Sequence, residues 1–317
     1  MPTPVFLTVD TELVWRHFAA GYDLDEIYAR SFEPAGVGIR YHLKRLAVHG
    51  LKAVFFVDPM PAMVFGLEPI RHIVGDILDA GQEVQLHLHP NWAGVPDGER
   101  TTNARFEMID YSEDEQRALI EGATDLLVAA GAPRPVAFRA GSYAANDDTL
   151  AALASLGFAY DCSHNGAEHP WPSAIGLAPS HIAPVARAGL IELPVTVIEE
   201  RAGALRNFQI CALSAGEMRA ALEHAVDAQH AMVSIVSHGF ELANRNGTRA
   251  NAVHVGRFEA LCEMLVDMQH DLPTVHFVDA PSFAVDADDV PLGPNTLRTG
   301  WRQAEQLWSN FIEERAA

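Results

Sequence analysis

The chain has 317 residues, 49% of them hydrophobic, and a formal charge of −20 from 22 Lys and Arg against 42 Asp and Glu. The apolar fraction is ample for a buried core and excludes disorder as a global description. The acidic surplus argues against nonspecific nucleic-acid binding and against an anionic membrane surface, both of which need clustered Lys and Arg; by itself it serves solubility.

In chain order, residues 5–10 read as a first strand and 39–49 as a helix stopped by Gly50. A strand over 53–58, a helix over 70–80 and a strand over 83–89 follow. Ser112-Glu-Asp-Glu115 is a capping-box pattern opening a helix to about residue 131. Beyond it come strands over 136–139, 159–163, 191–197, 232–238 and 275–279, with helices over 147–156, 215–229 and 255–268. Residues 297–314 read as a terminal amphipathic helix.

Several strand runs are apolar throughout, which suits burial on both faces. Alternating strands and helices predict a parallel sheet with helical crossovers. Seven or eight such units in one chain point to an α/β barrel. A doubly wound sheet is the alternative, without its dinucleotide version, because no G-x-G-x-x-G follows the first strand. The expected organisation is one barrel over 1–285 and an extension with a terminal helix over 286–317.

Cys162, Cys211 and Cys262 are too widely spaced to imply a disulfide framework. The N-terminus lacks the basic start and apolar run of a signal peptide, and no stretch approaches the roughly 20 apolar residues that cross a bilayer. A soluble protein of the reducing cytoplasm is the expectation, with no nucleic-acid partner and no membrane insertion.

Nearly every apolar run ends in an ionisable residue: Asp10 with Glu12, Asp58, His87 with His89, Arg139, Asp161, His238 and Asp279. A buried strand ends in charge where that end is exposed or used, and barrels of this kind build active sites from the C-terminal ends of their strands. Asp10 and Glu12 are two apart, so in extended chain they share a face about 6.6 Å apart. One carboxylate can bind a metal while the other acts as a base. His87 and His89 have the same spacing. Two imidazoles and a carboxylate make a three-ligand set with room for water, as catalytic zinc requires. Arg139 beside a carboxylate would keep it ionised and oriented. His238 is placed as a general acid, with Glu241 available to orient it. The remaining histidines, such as His42, His49, His224 and His230, read as surface or capping residues.

These residues resemble the motifs of the polysaccharide deacetylases, the NodB-homology group or carbohydrate esterase family 4. Leu-Thr-Val-Asp10-Thr-Glu12, Gln-Leu-His87-Leu-His89-Pro, Phe-Arg139-Ala-Gly-Ser-Tyr143, Tyr160-Asp161-Cys-Ser163 and Ile-Val-Ser-His238-Gly follow the family's order from about residue 4 to about 280. The wording is closest to the WalW-type branch. The resemblance implies a distorted (β/α)7 barrel, a divalent metal, usually zinc, and hydrolysis of an N-acetyl amide on a sugar. It makes Asp10 the general base, Glu12 and His87 metal ligands, and Arg139 the residue that orients Asp10. Backbone near Tyr143 would help hold the oxyanion, Asp161 would support the Arg139 region, and His238 would protonate the leaving amine.

Two departures stand out. The family's second metal histidine falls four residues after the first, where this chain has Asn91; His89 is the expected third ligand and Asn91 the alternative. Ala-Gly-Ser also intervenes between Arg139 and Tyr143 where the family has a shorter link. Two rivals to deacetylation remain: a same-fold amidohydrolase acting on a cyclic ureide or imide, and a catalytically weak relative that binds a glycan. The polar stretch 92–111 is expected to loop over the site.

Overall fold

The structure, a computed structural model, describes residues 2–93, 95, 105–279 and 281–315. Its main sheet has eight strands: β1 (Val5–Thr11), β2 (Val54–Val57), β3 (Glu83–Leu88), β4 (Ala137–Ala140), β5 (Tyr160–Asp161), β6 (Val185–Arg187), β7 (Leu190–Glu192) and β10 (Val233–His238). The order is β10-β1-β2-β3-β4-β5-β7-β6. Every pair from β10 to β7 is parallel, and β6 is added as an antiparallel edge. Seven parallel strands curled into a half-barrel agree with the barrel expected from the alternating pattern and with the distorted (β/α)7 form that the motif resemblance implies. A separate hairpin, β8 (Val197–Arg201) with β9 (Ala204–Asn207), lies outside this sheet. The chain beside it runs along the free edge of β10: Thr196 N donates to Ser234 O at 3.2 Å and Ile210 N to Val236 O at 3.3 Å.

The helices are α1 (Trp15–Ala19), α2 (Leu24–Ser31), α3 (Ile39–His49), α4 (Ala62–Phe65), α5 (Glu68–Asp79), α6 (Glu113–Ala129), α7 (Asp147–Ser155), α8 (Ala215–Asp227), α9 (Ala252–Asp267) and α10 (Thr296–Trp308). The capping box at Ser112 and Glu115 forms, and Ser214 with Glu217 caps α8 in the same way. The strands form because their side chains are buried on both faces: β2, Val-Phe-Phe-Val, has no exposed member. Phe55 faces the large core with Leu7, Leu86 and Ile235, while Phe56 faces a smaller one with Phe6 and Phe277.

Four local expectations change. The run over 191–197 is broken after β7, where Pro194 removes a ladder donor and the chain leaves the sheet for β8. Residues 277–279 form a one-turn 3₁₀ helix rather than a strand. It sits at the opposite end of the sheet from the other ionisable strand ends. Asp279 pairs there with Lys52 at 2.8 Å, and Glu83, the first residue of β3, accepts from Phe277 N and Val278 N. His42 and His230 are buried rather than superficial. His42 Nδ1 lies 2.9 Å from Gly38 O, one turn earlier in the chain. Finally, α1 and α2 occupy a segment the apolar periodicity leaves unread.

The terminal helix α10 inverts the usual amphipathic arrangement. Its inward face carries Arg302, bound to Glu217 at 3.2 Å and Glu200 at 2.5 Å, and Glu305, bound to Arg257 at 2.8 Å. Leu297, Trp301, Leu307 and Trp308 therefore face outward, each more than half exposed. No helix among the described residues is long and apolar enough to cross a membrane. Of the stretch 92–111, residues 94 and 96–104 lie outside the described residues. Residues 108–110 form a one-turn helix beside the site.

Candidate active site

Parallel strands end on the same side, and register sets which polar ends meet. Asp10 lies opposite His238 across β1 and β10, and His87 opposite Arg139 across β3 and β4. Arg139 is fully buried, stacked over Phe56 at 4.4 Å. Its Nη1 donates to Asp10 Oδ1 at 2.7 Å and Thr8 Oγ1 at 2.8 Å, and its Nε to Cys162 O at 3.1 Å. Burial opposes the guanidinium charge, but Asp10 outweighs it and holds Arg139 protonated.

His238 Nε2 stands 3.9 Å from the other oxygen of Asp10. Its Nδ1 is 3.2 Å from the Gln209 amide nitrogen and 3.8 Å from Glu241 Oε2. Glu241 is itself fixed by three donors: His238 N at 2.9 Å, Cys211 N at 2.8 Å and Gln209 Nε2 at 3.0 Å. Burial alone would favour a neutral imidazole; Glu241 and Asp10 overcome it and raise His238 to about 9. Burial would likewise raise Glu241, yet His238 brings it down to about 2.

A second group adjoins the first. Glu12, His87 and His89 present ligand atoms that all lie within 4.8 Å of one another. His87 Nδ1 donates to Arg139 O at 2.8 Å, which leaves Nε2 as the free lone pair, 3.4 Å from Glu12 Oε2. His89 Nε2 contacts the same oxygen. Burial opposes ionisation of Glu12, but the two imidazoles hold it well below the usual carboxylate range. Burial also opposes charge on His89, and Glu12 reverses that, taking it to about 9. Two imidazoles and a carboxylate thus converge on one point, the donor set that fits a divalent cation.

Asp58 ends β2 beside this group, fully buried; burial raises it to about 6 against the pull of His89 and His87. One of its oxygens accepts from Met60 N at 2.9 Å and the other has no partner. Asn91 is also buried, and neither amide atom is satisfied. Gly141 passes against the His89 ring so closely that a Cβ there would lie 2.3 Å from Nδ1.

The tyrosine and the second aspartate are both buried. Tyr143 is buried with Val195 and Val236, its hydroxyl unpartnered; burial and nearby Asp10 push it well above its ordinary value. The Asp161 carboxylate does not bond Arg139. It accepts from Ser163 Oγ at 2.7 Å and faces Glu192, whose carboxyl burial and Asp161 raise well above the usual range. The polar-end pattern exposes Asp58 without assigning it a role, and carries no signal for Glu192, which sits at the end of a three-residue strand.

A cavity of about 310 Å³ opens beside Glu12 and His89, walled by Trp15, Trp92, Phe106 and Phe240.

No family model matches the sequence, and no curated protein does either. Among solved structures, a Mycobacterium smegmatis protein described provisionally as a polysaccharide deacetylase is similar at TM-score 0.57 and 18% identity, over 91% of this chain and 96% of that one. A family 4 carbohydrate esterase from Streptomyces lividans, in complex with acetate, matches at TM-score 0.43 and 14% identity over 90% and 98%. A family 4 pseudoenzyme from Bacillus anthracis matches at 0.39 and 13% over 94% and 69%. The first of these likenesses establishes the fold: the chain has the polysaccharide-deacetylase architecture, in agreement with the motif resemblance. The narrower WalW-type branch is not distinguished by these neighbours.

Proposed function

We propose that the protein is a metal-dependent hydrolase that removes an N-acetyl group from a sugar or glycan precursor. The observation that carries this reading is the adjacency of two groups: Glu12, His87 and His89 with converging ligand atoms, and Asp10 held between Arg139 and His238. Glu12, His87 and His89 would hold a divalent cation, zinc by the chemistry of the donors, and it would supply a Lewis acid that polarises an acyl oxygen and lowers the pKa of a water.

The chain's own residues account for the proton movements. Asp10, anchored by a buried guanidinium, accepts the proton of the attacking water. His238, cationic at neutral pH, gives a proton to the departing nitrogen, so amide and water become acetate and amine. Glu241 keeps that imidazole charged and fixed in orientation. Backbone near Tyr143 would help hold the oxyanion, as the motif resemblance implies.

The test combines metal analysis with acetate release from N-acetylated sugars and cyclic amides. Stoichiometric zinc, lost in His87→Ala, and acetate release abolished by chelation or by Asp10→Asn are expected. A metal-free protein that binds sugar without turnover would overturn the reading in favour of glycan binding. Turnover of cyclic imides alone would replace it with the amidohydrolase alternative.

A further inference from the structure

The cavity beside Glu12 contains two arginines, Arg16 from α1 and Arg245 from the loop after β10. Neither makes an ion pair or a side-chain hydrogen bond among the described residues, and Arg16 Nε is buried without a partner. Their neighbours are paired: Arg30 with Glu26 at 3.8 Å, Arg249 with Glu313 at 3.3 Å and Arg257 with Glu305 at 2.8 Å. In a chain with 42 acids against 22 basic residues, two adjacent guanidiniums at the mouth of the site that have no ion-pair partner among the described residues stand out.

Resting on the hydrolase reading above, we propose that Arg16 and Arg245 form an anion subsite, and that the substrate carries a carboxylate or phosphate on the group next to its scissile amide. The fork of a guanidinium matches either oxyanion with paired hydrogen bonds.

Geometry supports the assignment in four ways. Arg16 lies over the Phe240 ring at 5.7 Å, and Phe240 lies 5.2 Å from the His238 ring, so one aromatic side chain spans from the anion subsite to the proposed acid. Trp15 packs edge-on to Trp92 at 4.8 Å and to Phe106 at 6.2 Å, which gives the cavity rigid apolar walls. Its volume of about 310 Å³ admits one sugar-sized group. The Arg245 loop is held in place from the far end of the chain: Arg245 N donates to Glu314 Oε2 at 2.8 Å, and Asn251 Nδ2 to Glu314 Oε1 at 3.0 Å.

Local charge agrees. Burial and the nearby Arg245 both work against the charge of Arg16, opposed by Glu12 and Glu314. Glu12 belongs to the proposed cation site, and both oxygens of Glu314 are engaged. An incoming oxyanion would relieve the repulsion between the two guanidiniums without displacing an existing partner.

Binding and turnover are measured separately. Calorimetry compares glucosamine with glucosamine 6-phosphate, neither of which can lose acetate, on the metal-loaded protein and its Arg16→Gln and Arg245→Gln variants. The phosphorylated sugar is expected to bind at least about tenfold more tightly, and each variant to lose about tenfold of that preference, with Arg→Lys retaining part of it. Equal affinity for the two sugars, or a preference untouched in both Gln variants of unchanged thermal midpoint, would overturn the subsite. Acetate release then compares N-acetylglucosamine, its 6-phosphate and N-acetylmuramate, and the preferred anionic substrate identifies phosphate or carboxylate as the group bound. Anion preference without acetate release from any of them would remove the hydrolase reading and leave the subsite standing. Equal turnover of the neutral sugar would do the reverse.

Discussion

The space that seats His89 at the proposed cation site is provided by Gly141, and adding one methyl group tests it. A Cβ at Gly141 would lie 2.3 Å from Nδ1, 2.5 Å from Cε1 and 2.6 Å from Cγ of the His89 ring. Ordinary contact begins near 3.4 Å, so the ring must retreat by about 3.4 − 2.3 = 1.1 Å. Metal–imidazole bonds tolerate about 0.2 Å, so a displacement five times larger takes His89 out of ligand position. Disturbing only the outer shell of a zinc site already costs up to about 100-fold in affinity, near 2.7 kcal/mol, and losing one of three ligands costs at least that. Competition with a chromophoric chelator measures the zinc affinity of Gly141→Ala. Gly75→Ala, in the middle of α5 with nothing within 4 Å, is the control; it is expected to keep its affinity and gain up to about 1 kcal/mol of stability. In a His89→Ala background the Gly141 substitution has nothing to displace and is expected to add no further loss. Wild-type zinc affinity in Gly141→Ala, with an unchanged thermal midpoint, would refute both the ligand role of His89 and the reason given for the glycine.

Other consequences follow from the buried charges. Arg139→Met strands the Asp10 carboxylate and is expected to cost about 3–5 kcal/mol in urea unfolding, partly recovered when Asp10→Asn is added; a loss below 1 kcal/mol would show that Asp10 has another counter-charge. His238 is held above its ordinary value, so its contribution to stability is complete below pH 6.5 and fades as pH rises through about 9. Glu241→Gln removes its main support and is expected to move the alkaline limb of the pH–rate profile to lower pH; a limb that stays near 9 excludes His238 as its source. Glu192 has the opposite sign, because a raised carboxyl is a liability once the unfolded chain ionises above about pH 4.5. Glu192→Gln should therefore be more stable than wild type by an amount that grows from pH 5 to pH 8, read from urea midpoints, and a constant difference would place the proton elsewhere.

Much of the architecture is legible because it depends on neighbours in sequence. Runs such as Val-Phe-Phe-Val are apolar on both faces only if both faces are buried, and Ser112 with Glu115 closes a helix start within four residues. The ionised ends of those runs, Asp10 with Glu12, His87 with His89, Arg139 and His238, could be read the same way, since a charge after a buried strand needs a reason. What local pattern cannot supply is which end of the sheet a residue reaches. Asp279 follows the same rule as Asp10, yet folds into a 3₁₀ turn at the opposite end. Residues 191–197 look continuous until Pro194 turns the chain out of the sheet. Pairings across the barrel are beyond local reach as well: Gly141 against His89, Asp161 against Glu192, and Arg16 beside Arg245 are set by strand register and by the loops that register brings together. Burial and periodicity act over a few residues and so are written into the sequence; adjacency of chemistry is a property of the curled sheet, where parallel strands gather at one mouth side chains that the chain itself keeps far apart.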